Sequence, residues 1–129
     1  MKKLFLLALT IFIYHNSFAQ NKQPDCKAFR TGNYLYTDTS ANTWELKRTK
    51  NHQTERNKRN GDLIKFKIQW LSDCEYRLTQ TWTNIRERRK WNRANFTYRI
   101  VSSTDNSYSY SCACKEGSSI IGTVVRTLN

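Results

Sequence analysis

Residues 63–82 read LIKFKIQWLSDCEYRLTQTW, and this stretch decides the fold. From Ile64 onward apolar side chains take every second position, Ile64, Phe66, Ile68 and Trp70, with Lys65, Lys67 and Gln69 between them. A strand sends successive side chains to opposite faces, so this is the pattern of a strand with one buried and one wet face. After Asp73 the alternation resumes, with Cys74, Tyr76, Leu78 and Trp82 set against Glu75, Arg77, Thr79 and Thr81. Two such runs around a short polar break make a β-hairpin. A two-residue turn at Ser72-Asp73 would place Trp70 beside Glu75 and Ile68 beside Arg77, joining the apolar set of one strand to the charged set of the other. A three-residue loop, Leu71 to Asp73, pairs Trp70 with Cys74, Ile68 with Tyr76 and Phe66 with Leu78. A one-residue slip flips a whole strand, so the burial pattern selects the odd loop. Gln80 is the polar residue of the inward row. Its place near the strand end favours a reach to solvent over a buried amide in need of partners.

The same alternation recurs along the chain. Tyr34 and Tyr36 follow the turn-forming Gly32-Asn33, and Trp44 and Leu46 mark a second strand after the turn cluster 38–42. Residues 52–57 have no apolar face and read as a solvated strand or an exposed loop. The segment NKRNG at 57–61 is a turn. Residues 84–93, NIRERRKWNR, fit a short helix or a long loop. Phe96, Tyr98 and Ile100 define a sixth strand, and Tyr108, Tyr110, Cys112 and Cys114 share a face of a seventh. A last strand covers 120–128, its inward face undecided between Ile120 with Val124 and Ile121 with Val125. About eight short strands with turns between them predict an all-β, antiparallel up-and-down meander, closing as a small lipocalin-like barrel with an interior either filled or holding one small ligand.

The N-terminus has a different character. Met1-Lys2-Lys3, the apolar run from Leu4 to Tyr14, and the segment Ser17-Phe18-Ala19 compose a secretory signal peptide over 1–19, cut after Ala19. It is too short for a membrane anchor, and no second long apolar run follows. The expected mature chain is one β-barrel domain, 20–129, periplasmic or secreted and without a transmembrane segment. The formal charge of +12 falls by the two lysines of the leader. The four cysteines, Cys26, Cys74, Cys112 and Cys114, all lie in the mature chain, and in an oxidising compartment an even count predicts disulfides. A bridge between positions i and i+2 of one strand is disfavoured by strain, which speaks against Cys112–Cys114. In an up-and-down meander the starts of the first and fifth strands lie at one end, which favours Cys26–Cys74.

Four stretches, CKAFRTGNYLY from Cys26, WELKRTKN from Trp44, IQWLSDCEYRLT from Ile68 and YSYSC from Tyr108, carry a likeness to known proteins. The chain resembles a group of small exported proteins of Bacteroidetes-type bacteria. Their shared features are a Cys-x-x-Phe-x-Thr-Gly start, an Arg-Thr-x-Asn stretch and a Trp-x-Ser-x-Cys-Glu-Tyr hairpin. The resemblance covers nearly all of the mature chain. It implies the barrel and brings no catalytic residues with it. Some members carry a DNA topoisomerase label, which nothing in these residues supports.

No glycine-rich phosphate loop, metal-binding His-Glu motif or serine-nucleophile elbow is present. No enzyme, cofactor or metal is therefore expected. Cys112 and Cys114 are read as structural rather than metal-ligating, and His52 as a surface residue. Two function classes follow. The first is a binding protein holding an apolar or amphipathic ligand in the barrel mouth, with Trp44, Phe66, Trp70, Tyr98 and Tyr110 as the ligand-binding residues. The second is an envelope surface module whose basic cluster, Arg86, Arg88, Arg89, Lys90 and Arg93 around Trp91, meets an anionic lipid, glycan or nucleic acid. Export argues against a nucleic-acid partner, and a solvated basic face is the plainer account of such a cluster. The group Lys47, Arg48, Lys50, Arg56, Lys58 and Arg59 reads the same way.

Overall fold

The computed structural model describes residues 22–112 and 120–128. The leader read over 1–19, as well as Cys114, lies outside the described residues. Eight strands form the fold: β1 (Gly32–Thr37), β2 (Thr43–Arg48), β3 (His52–Asn57), β4 (Leu63–Trp70), β5 (Glu75–Thr83), β6 (Asn95–Ser103), β7 (Ser107–Cys112) and β8 (Ile120–Arg126). Each pairs antiparallel with the next, and β1 pairs with β8 to close an up-and-down barrel. Closure leaves no free sheet edge. Two short 3₁₀ helices complete the described chain, η1 (Cys26–Phe29) before β1 and η2 (Arg86–Trp91) between β5 and β6.

The meander sorts the connections to two ends. η1 and the β2–β3, β4–β5 and β6–β7 loops gather at one, called here the plugged end. The β1–β2 and β3–β4 loops and the η2 connection gather at the other. Cys26 and Cys74 meet at the plugged end in a disulfide, where the strand-direction argument puts them. Asp73 beside it takes Lys27 and Arg30 at 3.6 and 3.3 Å. Those pairs are exposed and stabilise little; the covalent bond is what ties η1 to the hairpin. Cys112 is also disulfide-bonded.

The central hairpin keeps its expected faces with a shifted register. Trp70 faces Tyr76, Ile68 faces Leu78 and Phe66 faces Gln80, two residues further along β5 than the three-residue loop over 71–73 would give. The Leu71 N–H donates to the Glu75 carbonyl at 2.8 Å, so the tight loop is Ser72 to Cys74. A slip of two leaves the parity intact, and parity is what burial selects.

A bulge then overturns the expectation for Trp82. Phe66 pairs with Gln80 but Lys65 with Trp82, so Thr81 is an extra residue and the alternation reverses after it. Thr83 turns inward. Trp82 turns outward, 45 % exposed, with the Lys65 Nζ 5.1 Å from its ring centre. On β8 the inward residue is Val124, while Ile120, Ile121 and Val125 are exposed. Gly122 faces inward beneath the Tyr110 ring: a Cβ there would lie 2.7 Å from the Tyr110 Oη.

Candidate functional site: a plugged, tyrosine-lined barrel interior

The inward rows hold a core of Tyr34, Trp44, Leu46, Ile64, Phe66, Ile68, Tyr76, Leu78, Ile100, Tyr108 and Val124, with Cys26 and Phe29 from η1. Two parts of this interior differ in kind.

At the plugged end the centre is Arg48. It continues the inward row of β2 after Trp44 and Leu46, and is 2 % exposed. This corrects its reading as part of a surface basic group. All three guanidinium nitrogens donate: Nε to Gln53 Oε1 at 2.8 Å, Nη1 to the Phe29 carbonyl at 2.9 Å and Nη2 to Tyr108 Oη at 2.8 Å. The rings of Tyr34, Trp70, Tyr76 and Tyr108 surround it, their centres 4.8–5.8 Å from Cζ. Burial alone would discourage the charge, but Tyr108 and Tyr76 more than offset it, and the net displacement of its pKa is upward. Phe29 is fully buried against Tyr108, ring centres 5.1 Å apart. η1 is therefore a stopper, with Arg48 as the polar pin beneath it. The Cys-x-x-Phe-x-Thr-Gly and Trp-x-Ser-x-Cys-Glu-Tyr residues build this end. Cys26 and Cys74 bridge it, Phe29 and Trp70 fill it, the Thr31 carbonyl accepts from Tyr34 Oη at 2.6 Å, and Gly32 has φ 133°.

Toward η2 the barrel is not filled. A cavity of about 140 Å³ has wall residues from all eight strands and from η2. Leu46, Phe66, Leu78, Phe96 and Val124 are its apolar part. Tyr36, Tyr76, Tyr98, Tyr108 and Tyr110 bring phenols, Gln53 an amide, Glu55 a carboxylate and Arg88 a guanidinium. Glu55 Oε1 accepts from Gln53 Nε2 at 2.7 Å and Oε2 from Tyr36 Oη at 2.8 Å. Burial raises the Glu55 pKa, opposed by the hydrogen bonds from Tyr36 and Gln53 and by the charges of Arg88 and Arg48. Burial also lifts Tyr98, to about 12, and Tyr110. The Tyr98 and Tyr110 phenols are therefore protonated donors at any physiological pH.

The polar wall comes from β3, the segment whose lack of an apolar face left it undecided between strand and loop. Gln53, Glu55 and Asn57 form its inward row, and Gln53 and Asn57 are buried. The sequence pattern by itself does not mark Arg48, Gln53 or Glu55 as site residues. The signal that would have found Gln53 and Glu55 is combinatorial. In a closed barrel every strand has an inside, so a strand polar on both faces must bring polar groups into the interior.

The residues singled out from sequence divide. Phe66, Tyr98 and Tyr110 are on the cavity wall. Trp44 stands behind it, stacked on Tyr36 with ring centres 6.2 Å apart and its Nε1 donating to Asp38 at 2.9 Å. Trp70 belongs to the plug, tilted on Tyr76 and flanked by Arg30 and Arg48. In the basic cluster, Arg86, Arg89, Lys90, Trp91 and Arg93 are exposed, whereas Arg88 turns into the barrel.

No protein-family model, curated protein or solved structure matches this chain. The site therefore stands on its own geometry.

Gln80 explains how Arg88 is placed, and its burial corrects the expectation of a solvent-reaching side chain. It is 0 % exposed. Its Nε2 donates to the Arg88 carbonyl at 2.9 Å and to Asn92 Oδ1 at 3.0 Å, and its backbone pairs with Arg93 and Ala94. One buried amide thus holds η2 across the barrel, with Arg88 facing in.

Proposed function

We propose that this protein is a small non-enzymatic binding barrel that takes one amphipathic small molecule into the cavity beside η2. The observation that carries the reading is the cavity itself. Its wall sets apolar side chains beside phenols, an amide, a carboxylate and a guanidinium, and placed polar groups of this kind orient a guest. The plug supports the same reading, because a barrel closed at one end by η1, Arg48 and a disulfide presents its interior from the other. Export, the periplasmic or secreted location and the resemblance to small exported proteins belong with this reading. The Cys26–Cys74 bond is consistent with an oxidising compartment.

Native mass spectrometry of the protein purified from its own host tests the proposal. A non-covalent small-molecule adduct, lost on denaturation and reduced in a Val124→Phe variant that fills the cavity, is the expected result. Protein recovered at its bare mass, with binding of added small molecules unchanged in that variant, would refute it.

A second reading has its own observation. Trp91, 47 % exposed, lies with the Lys90 Nζ 5.5 Å from its ring centre among Arg86, Arg89 and Arg93. An exposed indole amid cations fits docking on an anionic envelope surface. This reading predicts salt-sensitive co-sedimentation with phosphatidylglycerol vesicles. Sedimentation unchanged in a Trp91→Ala, Arg89→Gln variant would reject it.

A further inference from the structure

The interior charge is unbalanced. Arg48 donates only to neutral partners, namely an amide oxygen, a backbone carbonyl and a phenol. Arg88 has a single long contact, Nη2 to Gln80 Oε1 at 3.5 Å, and its buried Nε has no hydrogen-bond partner among the described residues. Among the described residues Glu55 is the one carboxylate on the cavity wall. Two guanidiniums thus face one carboxylate among the described residues, a balance that is net positive whether or not Glu55 is ionised. A cavity of this sign favours an anionic guest, since an uncompensated buried charge is costly.

The hydrogen-bond inventory points the same way. Both Glu55 oxygens already accept. Arg88 Nε is a donor in search of an acceptor. The Tyr98 and Tyr110 hydroxyls have no hydrogen-bond partner among the described residues, and their rings meet edge-to-face, centres 5.5 Å apart, on the cavity wall. The cavity therefore offers unused donors on one side and apolar surface on the other. Its volume of about 140 Å³ sets the scale of the guest, because a cavity of about 150 Å³ accommodates one benzene ring.

Building on the binding reading above, we infer that the guest is a small monocarboxylate with a ring-sized apolar body. Arg88, Tyr98 and Tyr110 receive the carboxylate, and Phe66, Leu78 and Phe96 enclose the body. A planar carboxylate matches the guanidinium fork, and hydrogen bonds between charged groups are about twice as strong as neutral ones. The longer chain of a fatty acid exceeds the space.

Three isosteric probes test the inference on the full disulfide-bonded protein by calorimetric titration and amide chemical-shift mapping: benzoate, benzamide and benzamidinium. Benzoate should bind at one site roughly tenfold or more tighter than benzamide, with benzamidinium weakest. Arg88→Gln should lower benzoate affinity about tenfold and leave benzamide within about threefold. A Tyr98→Phe, Tyr110→Phe variant, which keeps both rings, should weaken benzoate similarly without loss of fold. Equal affinity for the three probes, or a preference for benzamidinium, would overturn the carboxylate assignment and leave the binding cavity standing. Benzoate binding untouched by Arg88→Gln would place it on the exterior basic face and also overturn it. Failure of all three probes to bind would defeat both this inference and the reading on which it rests.

Discussion

Replacing Arg48 with methionine measures the plug directly. The substitution keeps much of the stem volume and removes a guanidinium whose three donors serve Gln53, Phe29 and Tyr108 at 2.8–2.9 Å. Hydrogen bonds from a charged donor contribute about 1.5–3 kcal/mol each, and a buried acceptor left unpaired costs about 1–3 kcal/mol. Not every partner is equally stranded. Gln53 keeps the bond from its Nε2 to Glu55 but its Oε1 loses its donor, whereas Tyr108 can turn toward Tyr76, whose hydroxyl is 3.5 Å away. The Phe29 carbonyl keeps nothing in that direction. Against these losses stands the relief of no longer burying a cation without a carboxylate partner, on the order of several kcal/mol. Contacts to the four rings add about 0.5–2 kcal/mol to the loss. The balance is a destabilisation of about 3–5 kcal/mol. The assay is urea unfolding at neutral pH. With an m value near ~1.5 kcal/mol/M the midpoint should fall by roughly 2–3 M. Should Arg48→Met fold too poorly to measure, Tyr108→Phe strands a single donor and should cost about 1.5–3 kcal/mol. A loss below ~1 kcal/mol in both variants would refute the reasoning, because the guanidinium would then not be desolvated and bonded as described.

Four other outcomes follow from the same geometry. Replacing Cys26 and Cys74 with serine opens a bridge between residues 48 apart in sequence, and the loop-entropy relation puts the loss near ~4 kcal/mol, read as a drop in melting temperature under oxidising conditions only. Gln80→Ala frees η2, so trypsin should cut at Arg86, Arg88 or Arg89 faster than in the parent chain while the barrel itself stays protease-resistant; equal cleavage rates would show that η2 is held by something else. Gly122→Ala pushes a methyl into the Tyr110 ring, 2.7–2.9 Å away, and should cost about 1–3 kcal/mol by calorimetry, or else displace Tyr110 with a matching change in its aromatic resonances. Glu55, facing Tyr36, Tyr98, Tyr110, Arg48 and Arg88, has a folded pKa above its unfolded value. The stability linked to its proton is therefore complete below the ordinary carboxylate pKa and is lost as pH rises through the raised value. Urea midpoints should decline across that window in the parent and lose that component in Glu55→Gln.

Most of the architecture was legible because burial writes a period-two pattern. Ile64, Phe66 and Ile68 on β4 and Tyr76 and Leu78 on β5 identify both strands, their faces and the parity of their register. The disulfide followed from strand direction alone. What failed did so for local reasons. The hairpin slipped by two because a slip of two exchanges one apolar pairing for another of the same parity, which burial cannot tell apart. Trp82 was misplaced because one extra residue, Thr81, reverses the alternation, and nothing about a threonine in a strand announces a bulge. Gln80 reads as a strand-end residue reaching water, since its partners come from residues 8 and 12 positions later. The cavity was the least legible feature. An aromatic inward row fits a solid core as well as a hollow one, and the polar side chains that distinguish them, Arg48, Gln53 and Glu55, resemble ordinary surface residues until closure of the barrel gives them an inside.

The polar row of β3 is what connects the plug to the cavity. Arg48 donates to Gln53, Gln53 to Glu55, and Tyr36 to Glu55 from across β2, in one unbroken series of bonds at 2.7–2.8 Å. An apolar replacement of such a series often leaves a protein as stable or more so, so stability alone is a weak reason for its presence. Its geometric consequence is a stronger one. Each member has its acceptor or donor fixed by the next, which orients Glu55 and gives each of its oxygens a donor. Among the described residues the cavity donors without an acceptor are on other elements, Arg88 on η2, Tyr98 on β6 and Tyr110 on β7. A barrel built only to be filled would need neither the bonded side nor the donor side. The asymmetry is a property of a container whose contents have a head and a body.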